Sequence, residues 1–224
     1  MRDIDWFPLI LSIRVAVVAT FFVVIIGGSL GWLLARRRFW GRELLDAFVT
    51  LPLVLPPTVL GYYLLVVLGR ESPLGRAVEA VTGSPLVFTW KAAVIAATVG
   101  ALPLMVKTSR AAISSVDTSL EDAARTLAQS EWSVFRRVTL PLASRGIAAG
   151  AMLAFARALG DFGATLMVAG NIPGHTQTAA IAIYDATQAG RKDYALLIVV
   201  ILSATALVLA YATNKLVQGS RTRT

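Results

Sequence analysis

The chain contains no cysteine and only one histidine, and just 15% of its 224 residues are Asp, Glu, Lys or Arg. Without cysteine there can be no disulfide, no thiolate nucleophile and no thiolate metal site. The lone His175 sits beside Pro173 and Gly174 in a predicted external loop, where a solvated imidazole is expected. No Ser/His or paired-carboxylate arrangement accompanies it, and an intramembrane enzyme would need such a cluster. The G-x-x-x-x-G-K-[ST] phosphate loop is missing too, so nucleotide chemistry is expected to lie elsewhere. With no internal repeat, low-complexity tract or separable soluble segment, residues 1–224 read as a single membrane domain.

What the chain has in abundance is apolar surface. Its composition is 56% hydrophobic and its mean hydropathy is +0.70, too apolar for a soluble domain of this size. A helix crosses the hydrocarbon core in about 20 residues, and five windows qualify. Segments 15–35, 47–69 and 195–213 carry no charge; 86–106 includes Lys91 near one end, and 146–170 includes Arg157 and Asp161. With flanks, the predicted spans are about 9–35, 47–69, 86–110, 142–169 and 194–215. The first is expected to be retained, because Asp3 and Asp5 precede it, arginines follow it, and it exceeds the roughly 7–15-residue core of a cleaved signal.

The net charge of +8 would suggest nucleic acid in a soluble protein. Here the bases flank span ends, so no nucleic-acid partner is expected and the lipid bilayer is. Arg36, Arg37, Arg38, Arg42, Lys107, Arg110, Arg125, Arg136, Arg137, Arg145, Lys215, Arg221 and Arg223 fall on one side; Arg2, Arg70, Arg76, Arg191 and Lys192 fall on the other. The positive-inside rule then predicts a multi-pass protein with its N-terminus outside and its C-terminus in the cytoplasm.

Two spans carry unusual residues. The second holds Pro52, Pro56 and Pro57, each removing an amide donor in a solvent that offers no replacement. Such a helix is expected to kink, either as a bent structural element or as a lining of a pathway, which makes Pro56, Pro57 and Thr58 pathway candidates. Gly100 and Pro103 permit a bend in the third span, and Ser72 ahead of Pro73 starts a short external helix. The fourth span holds Arg157 and Asp161 at i, i+4, on one face. They either neutralise each other or take part directly in a pathway. Gly146 and Gly150 form a GxxxG pattern, frequent by chance in such a composition.

Between the third and fourth spans lies a charged segment, 117–140. Thr118-Ser-Leu-Glu121 fits a capping box, and Asp117, Glu121 and Asp122 put negative charge on a first helical turn. Leu120, Ala123, Ala124 and Leu127 follow at i, i+3, i+4 and i+7, a narrow face of mostly small residues. A second start at Ser130 precedes Trp132, Phe135 and Val138, before Pro141 opens the fourth span. Two short helices joined near Ala128 and Gln129 are predicted. An interfacial helix on lipid head groups would suit Trp132, Phe135, Arg136 and Arg137, but the first helix has too shallow an apolar face and too many acids for that. It suits docking in a protein groove.

Asp122-Ala-Ala, three residues, Ala128, nine residues, then Val138-Thr-Leu140-Pro141 resembles the signature cytoplasmic loop of ABC importer permeases: Glu-Ala-Ala, three residues, Gly, nine residues, Ile-x-Leu-Pro. Asp122 and Val138 are conservative departures. Ala128 stands where the family has glycine, and a left-handed backbone there would cost alanine roughly 1 kcal/mol or more. The stretches 51–65 and 155–184 resemble molybdate permeases. Sulfate permeases share Asn171-Ile-Pro173 but carry Gly-Glu-Tyr-Gly-Ser where this chain has Gly160-Asp-Phe-Gly-Ala164.

The resemblance implies an all-α membrane protein of the type I ABC importer permease fold, with about five transmembrane helices and a coupling-helix loop. It also implies a homodimer in the bacterial inner membrane, a cytoplasmic ATPase dimer that binds ATP and Mg, and an external binding protein that delivers the oxyanion, most closely molybdate. Sulfate, thiosulfate and tungstate are the alternative cargoes. No cofactor or metal is expected on this chain. The coupling residues are expected to be Asp122, Ala123, Ala124, Ala128, Leu140 and Pro141, with Leu127 and Trp132 added on physical grounds and Glu121 as a further candidate. A standalone secondary transporter or channel would equally explain kinked helices and an intramembrane ion pair, but gives no reason for the alanine-rich docking segment.

Overall fold

The computed structural model describes residues 5–218; Arg2, Asp3, Arg221 and Arg223, used above for the topology, lie outside the described residues. The described residues form α1 (Phe7–Arg36), α2 (Arg42–Val54), α3 (Pro57–Leu68), α4 (Pro73–Thr82), α5 (Trp90–Ser114), α6 (Thr118–Thr126), α7 (Glu131–Val134), a π-helical turn (Phe135–Thr139), α8 (Leu140–Leu159), α9 (Gly163–Ala169), α10 (Ala179–Gln188) and α11 (Lys192–Gln218). Four helical stretches are long and apolar enough to cross a membrane, and the bent pair α2 and α3 brings the number to five.

The core is the pairing of α1 with α5, built on small residues. Any side chain at Gly31 would collide with the Ser109 hydroxyl, and a Cβ at Gly27 would sit 2.9 Å from the Met105 side chain. Glycine at both positions lets the backbones close, and Ser109 donates to Gly27 O at 3.3 Å across the interface. Close backbone approach replaces the hydrophobic effect as the source of attraction between helices in lipid. Gly146 and Gly150 of α8 do the same against Ala112 and Thr108 on another side of α5, so the pattern discounted as a chance match is a packing surface.

These contacts fix the direction of every span. Arg14 stacks over Trp90 at 4.0 Å and Gly31 meets Ser109, so α1 and α5 run parallel. The chain between them must therefore recross the bilayer. It begins at the Arg36 end, where Asp46 pairs with Lys107 at 2.8 Å and Arg110 at 3.0 Å, and ends where the Phe88 amide donates to Val168 O at 2.8 Å. Gly146 facing Ala112 while Arg157 faces Gly100 makes α8 antiparallel to α5. The Tyr194 hydroxyl donates to Asp5 O at 2.9 Å, which starts α11 at the Phe7 end. Five crossings follow, with the two ends of the described chain on opposite faces.

Two spans differ from expectation. The second is not one kinked helix but two helices with a bend of 115° between them, broken at Leu55 and Pro56. Pro56 and Pro57 have no amide hydrogen to continue the ladder, and Pro57 starts α3 as its first residue. The fourth span, expected over 142–169, stops at Leu159 and resumes as α9 after a break at 160–162. Residues 70–85 do contain the short helix α4, capped by the Ser72 hydroxyl, which accepts from Gly75 N at 2.8 Å.

Candidate functional site

Two groups of residues stand out, one at the Arg36 end and one at mid-depth. At the Arg36 end, α6 and α7 form an elbow. The capping box is not what starts α6: Asp117 is the N-cap and accepts from the Ser119 amide at 2.9 Å, and that bond lowers its carboxyl pKa. Glu121 turns inward instead and is 3% exposed. Ser130 caps α7 as expected, accepting from Ser133 N at 3.3 Å. α7 does not end before Pro141; it continues through the π-helical turn directly into α8. A π-turn inserts a residue without ending the helix, so the second arm of the elbow is the first stretch of the fourth span.

The joint is Ala128, with φ +55°. This is the left-handed conformation the resemblance assigns to glycine, so the break is kept despite alanine's steric cost of about 1–2 kcal/mol. Arg125 offsets part of it by clamping the two arms. Its guanidinium reaches Glu131 at 2.7 and 3.2 Å across the joint and Asp122 at 2.7 Å on its own helix. These contacts push the Arg125 guanidinium up.

α6 is exposed over most of its surface, and the one residue it buries is an acid. Its acid Glu121 faces the protein, while Leu120 is 49% and Leu127 75% exposed. Ala123 is exposed and Ala124 half-buried, and Asp122 and Ala128 are exposed. Trp132 is exposed, stacked on Phe135 at 5.6 Å, and Phe135 in turn meets the Trp32 edge at 6.0 Å. Leu140 and Pro141 are exposed at the base of span four. Of the expected coupling residues, all but Glu121 therefore present a surface or lie at the rim of one.

At mid-depth the two broken spans meet at their breaks. A Cβ on Gly163 would lie 3.0 Å from the Pro57 side chain and 3.5 Å from Thr58 N, while Gly100 lies against the Arg157 guanidinium and the Asp161 carboxylate. At 1.5 Å per residue, Gly100 is about 15 Å along α5 from Trp90. Asp161 is almost fully buried. Its Oδ1 accepts from Arg157 Nη1 at 2.9 Å, and its Oδ2 accepts from Thr165 N at 3.0 Å and Thr165 Oγ1 at 2.6 Å. From the residue before the N-cap Phe162, the carboxylate thus supplies an acceptor for one first-turn amide of α9 that lipid would leave unsatisfied. Arg157 keeps 28% of its side chain exposed, and Pro56, Pro57 and Thr58 are exposed at the α2–α3 break. Discontinuous helices with exposed polar groups at the midplane are the construction found where transporters handle their substrates.

Residues 27–222 match the family described as the binding-protein-dependent transport system inner membrane component. The chain belongs to this family. Among relatives of this permease, the molybdenum transport system permease protein ModB of Escherichia coli K12 is 42% identical over 224 residues, covering 100% of this chain and 98% of its own. The putative molybdenum transport system permease protein YvgM of Bacillus subtilis 168 is 45% identical over 188 residues, 84% of this chain and 83% of its own. A probable sulfate transport system permease protein of Chlorella vulgaris is 35% identical over 185 residues, 83% of this chain and 68% of its own. The same fold occurs in the solved inward-facing MetNI methionine ABC transporter, with a TM-score of 0.73, 19% identity and coverage of 95% of this chain and 94% of that one. The family and the apolar spans make this an inner-membrane, multi-pass permease of the type I ABC importer fold.

Proposed function

We propose that this permease translocates molybdate, as a homodimer driven by a separate ATPase dimer that binds ATP and Mg, and loaded by an external binding protein. The carrying observation is α6, which turns its leucines outward and its glutamate inward. A free helix in water would hide the leucines, so their exposure calls for a partner, and an alanine-lined face suits close approach in a protein groove. The Arg36 end then faces the cytoplasm and the Phe7 end faces outward, in agreement with the distribution of bases. Molybdenum permeases at 41–45% identity support the cargo, whereas the sulfate relative matches at 35%.

The transport mechanism needs no covalent step on this chain. ATP-bound ATPases and the loaded binding protein each favour one arrangement of the spans, and alternation follows from their differential binding. A second copy completes the pathway at the breaks of the two spans, with Pro56, Pro57 and Thr58 in its lining and Arg157 supplying the positive charge that a dianion needs in a low-dielectric passage. Asp161 holds Arg157 and bonds the first turn of α9.

Because the native chain has no cysteine, one placed at Ala124 reports docking without background. It is expected to form a disulfide with a cysteine engineered in the groove of the ATPase in the assembled, active complex. Absence of any such cross-link contradicts the docking of α6.

A further inference from the structure

α6 is joined to the rest of the chain by two short links, 115–117 and 127–130. The second contains the left-handed Ala128. A helix tethered in this way could pivot under load without moving anything behind it. Besides the exposed clamp from Arg125 to Glu131 of α7, the buried link that anchors α6 to the core is Glu121. Its Oε1 accepts from Arg36 Nη2 at 2.8 Å and from the Thr139 hydroxyl at 2.6 Å, and its Oε2 lies 3.8 Å from Arg125. Arg36 also donates to Val116 O at 3.1 Å. Glu121 and Thr139 are 3% and 2% exposed, and the Arg36 side chain is 15% exposed.

Arg36 and Thr139, which bond Glu121, and Val116, which bonds Arg36, belong to different parts of the bundle. Arg36 is the last residue of α1, Val116 follows α5, and Thr139 closes the π-helical turn that leads into span four. Charge-assisted bonds shielded from water are the strong ones, and removing one member leaves a buried charge unpaired. A single carboxylate therefore ties the back of α6 to the inner ends of two core spans.

We infer that Glu121 is a positioning residue that transmits displacement of α6 to α1 and to span four, acting through Arg36 and Thr139 rather than by touching the ATPase. The inference rests on the docking of α6 proposed above. It separates the two faces of that helix: Leu127 and the alanines receive the force, and Glu121 passes it on.

The test uses the complete complex in proteoliposomes. Glu121→Gln is expected to leave co-purification of the ATPase and the Ala124 cross-link unchanged, while molybdate transported per ATP hydrolysed falls about 10-fold, within the range of typical coupling energies. Thr139→Val removes one hydrogen bond without unpairing Arg36 and is expected to lower the same ratio by a smaller factor. Single spin labels at Gln129 and at Arg38, measured between the two copies, supply a readout that a merely structural role would not move. In the native chain ATP shifts both distances; in Glu121→Gln the Gln129 distance still shifts and the Arg38 distance does not.

An undiminished transport ratio in Glu121→Gln, or an Arg38 distance that still responds, overturns the inference. Loss of the Ala124 cross-link in that variant overturns it too, because Glu121 would then belong to the docking contact itself. Should Glu121→Gln fail to assemble, Thr139→Val decides, and a native ratio there is the contradicting result. A missing cross-link in the chain with native Glu121 and Thr139 identifies failure of the docking proposal instead.

Discussion

Neutralising the mid-membrane pair as Arg157→Met with Asp161→Asn is expected to preserve the fold and to slow molybdate uptake at least about 10-fold, the lower bound of electrostatic focusing on charged substrates. The single change Asp161→Ala is expected to behave differently. It leaves the Arg157 guanidinium unpaired in the bilayer and removes the acceptor for Thr165 N and Oγ1 at the start of α9. Breaking a buried pair by deleting one partner costs about 3–5 kcal/mol; with Arg157 still 28% exposed, the lower end applies, plus about 1 kcal/mol for the lost first-turn acceptor. In the double variant the guanidinium is gone and asparagine still offers an acceptor to Thr165. Thermal unfolding in detergent should therefore separate the two, with Asp161→Ala well below the native chain and the double variant close to it. Uptake then addresses the remaining question. A stable double variant that transports at the native rate would leave Arg157 only as the partner of Asp161, with no part in the pathway.

Leu127→Glu is expected to abolish the stimulation of ATP hydrolysis by loaded binding protein and to reduce uptake by about 30-fold or more, the cost of losing a buried interface anchor worth roughly 2 kcal/mol. Leu127 is 75% exposed at the C-cap of α6, so the fold gains little from it and the change should alter stability by less than about 0.5 kcal/mol. The expected signature is a permease that reaches the membrane in normal amount and fails to couple. Hydrolysis that still responds to loaded binding protein would remove Leu127 from the contact.

The elbow was legible from sequence because its determinants are local. The spacing from Asp122 through Ala128 to Pro141 and the cap at Ser130 all lie within one short segment. Even the strained position could be read there, since alanine where glycine is expected points to a backbone that must turn left-handed, as Ala128 does. The inward turn of Glu121 was not legible, because its partner Arg36 lies 85 residues away. A glutamate three residues after Thr118 reads as a capping box unless the tertiary partner is known. Pro56 and Pro57 announced a bend but not its 115° size, which depends on packing of α3 against α9. The break in span four went unseen because hydropathy averages across it. The signal available was Asp161 between Gly160 and Gly163, an acid placed to bond the first turn of a new helix. Similarly, the stripe Gly27 and Gly31 is no more conspicuous in sequence than Gly146 and Gly150, and only the approach of α5 shows that both are used.

ATP-driven uptake of labelled molybdate into proteoliposomes holding the permease, its ATPase and its binding protein bears most directly on what this chain does. Uptake should require ATP and all three components, and excess tungstate or sulfate as competitor should reveal the selectivity, with sulfate the weaker. Molybdate accumulation by the permease alone, without the ATPase, would contradict an ATP-driven importer and restore the standalone transporter. Sulfate uptake outpacing molybdate in the complete complex would contradict the assigned cargo.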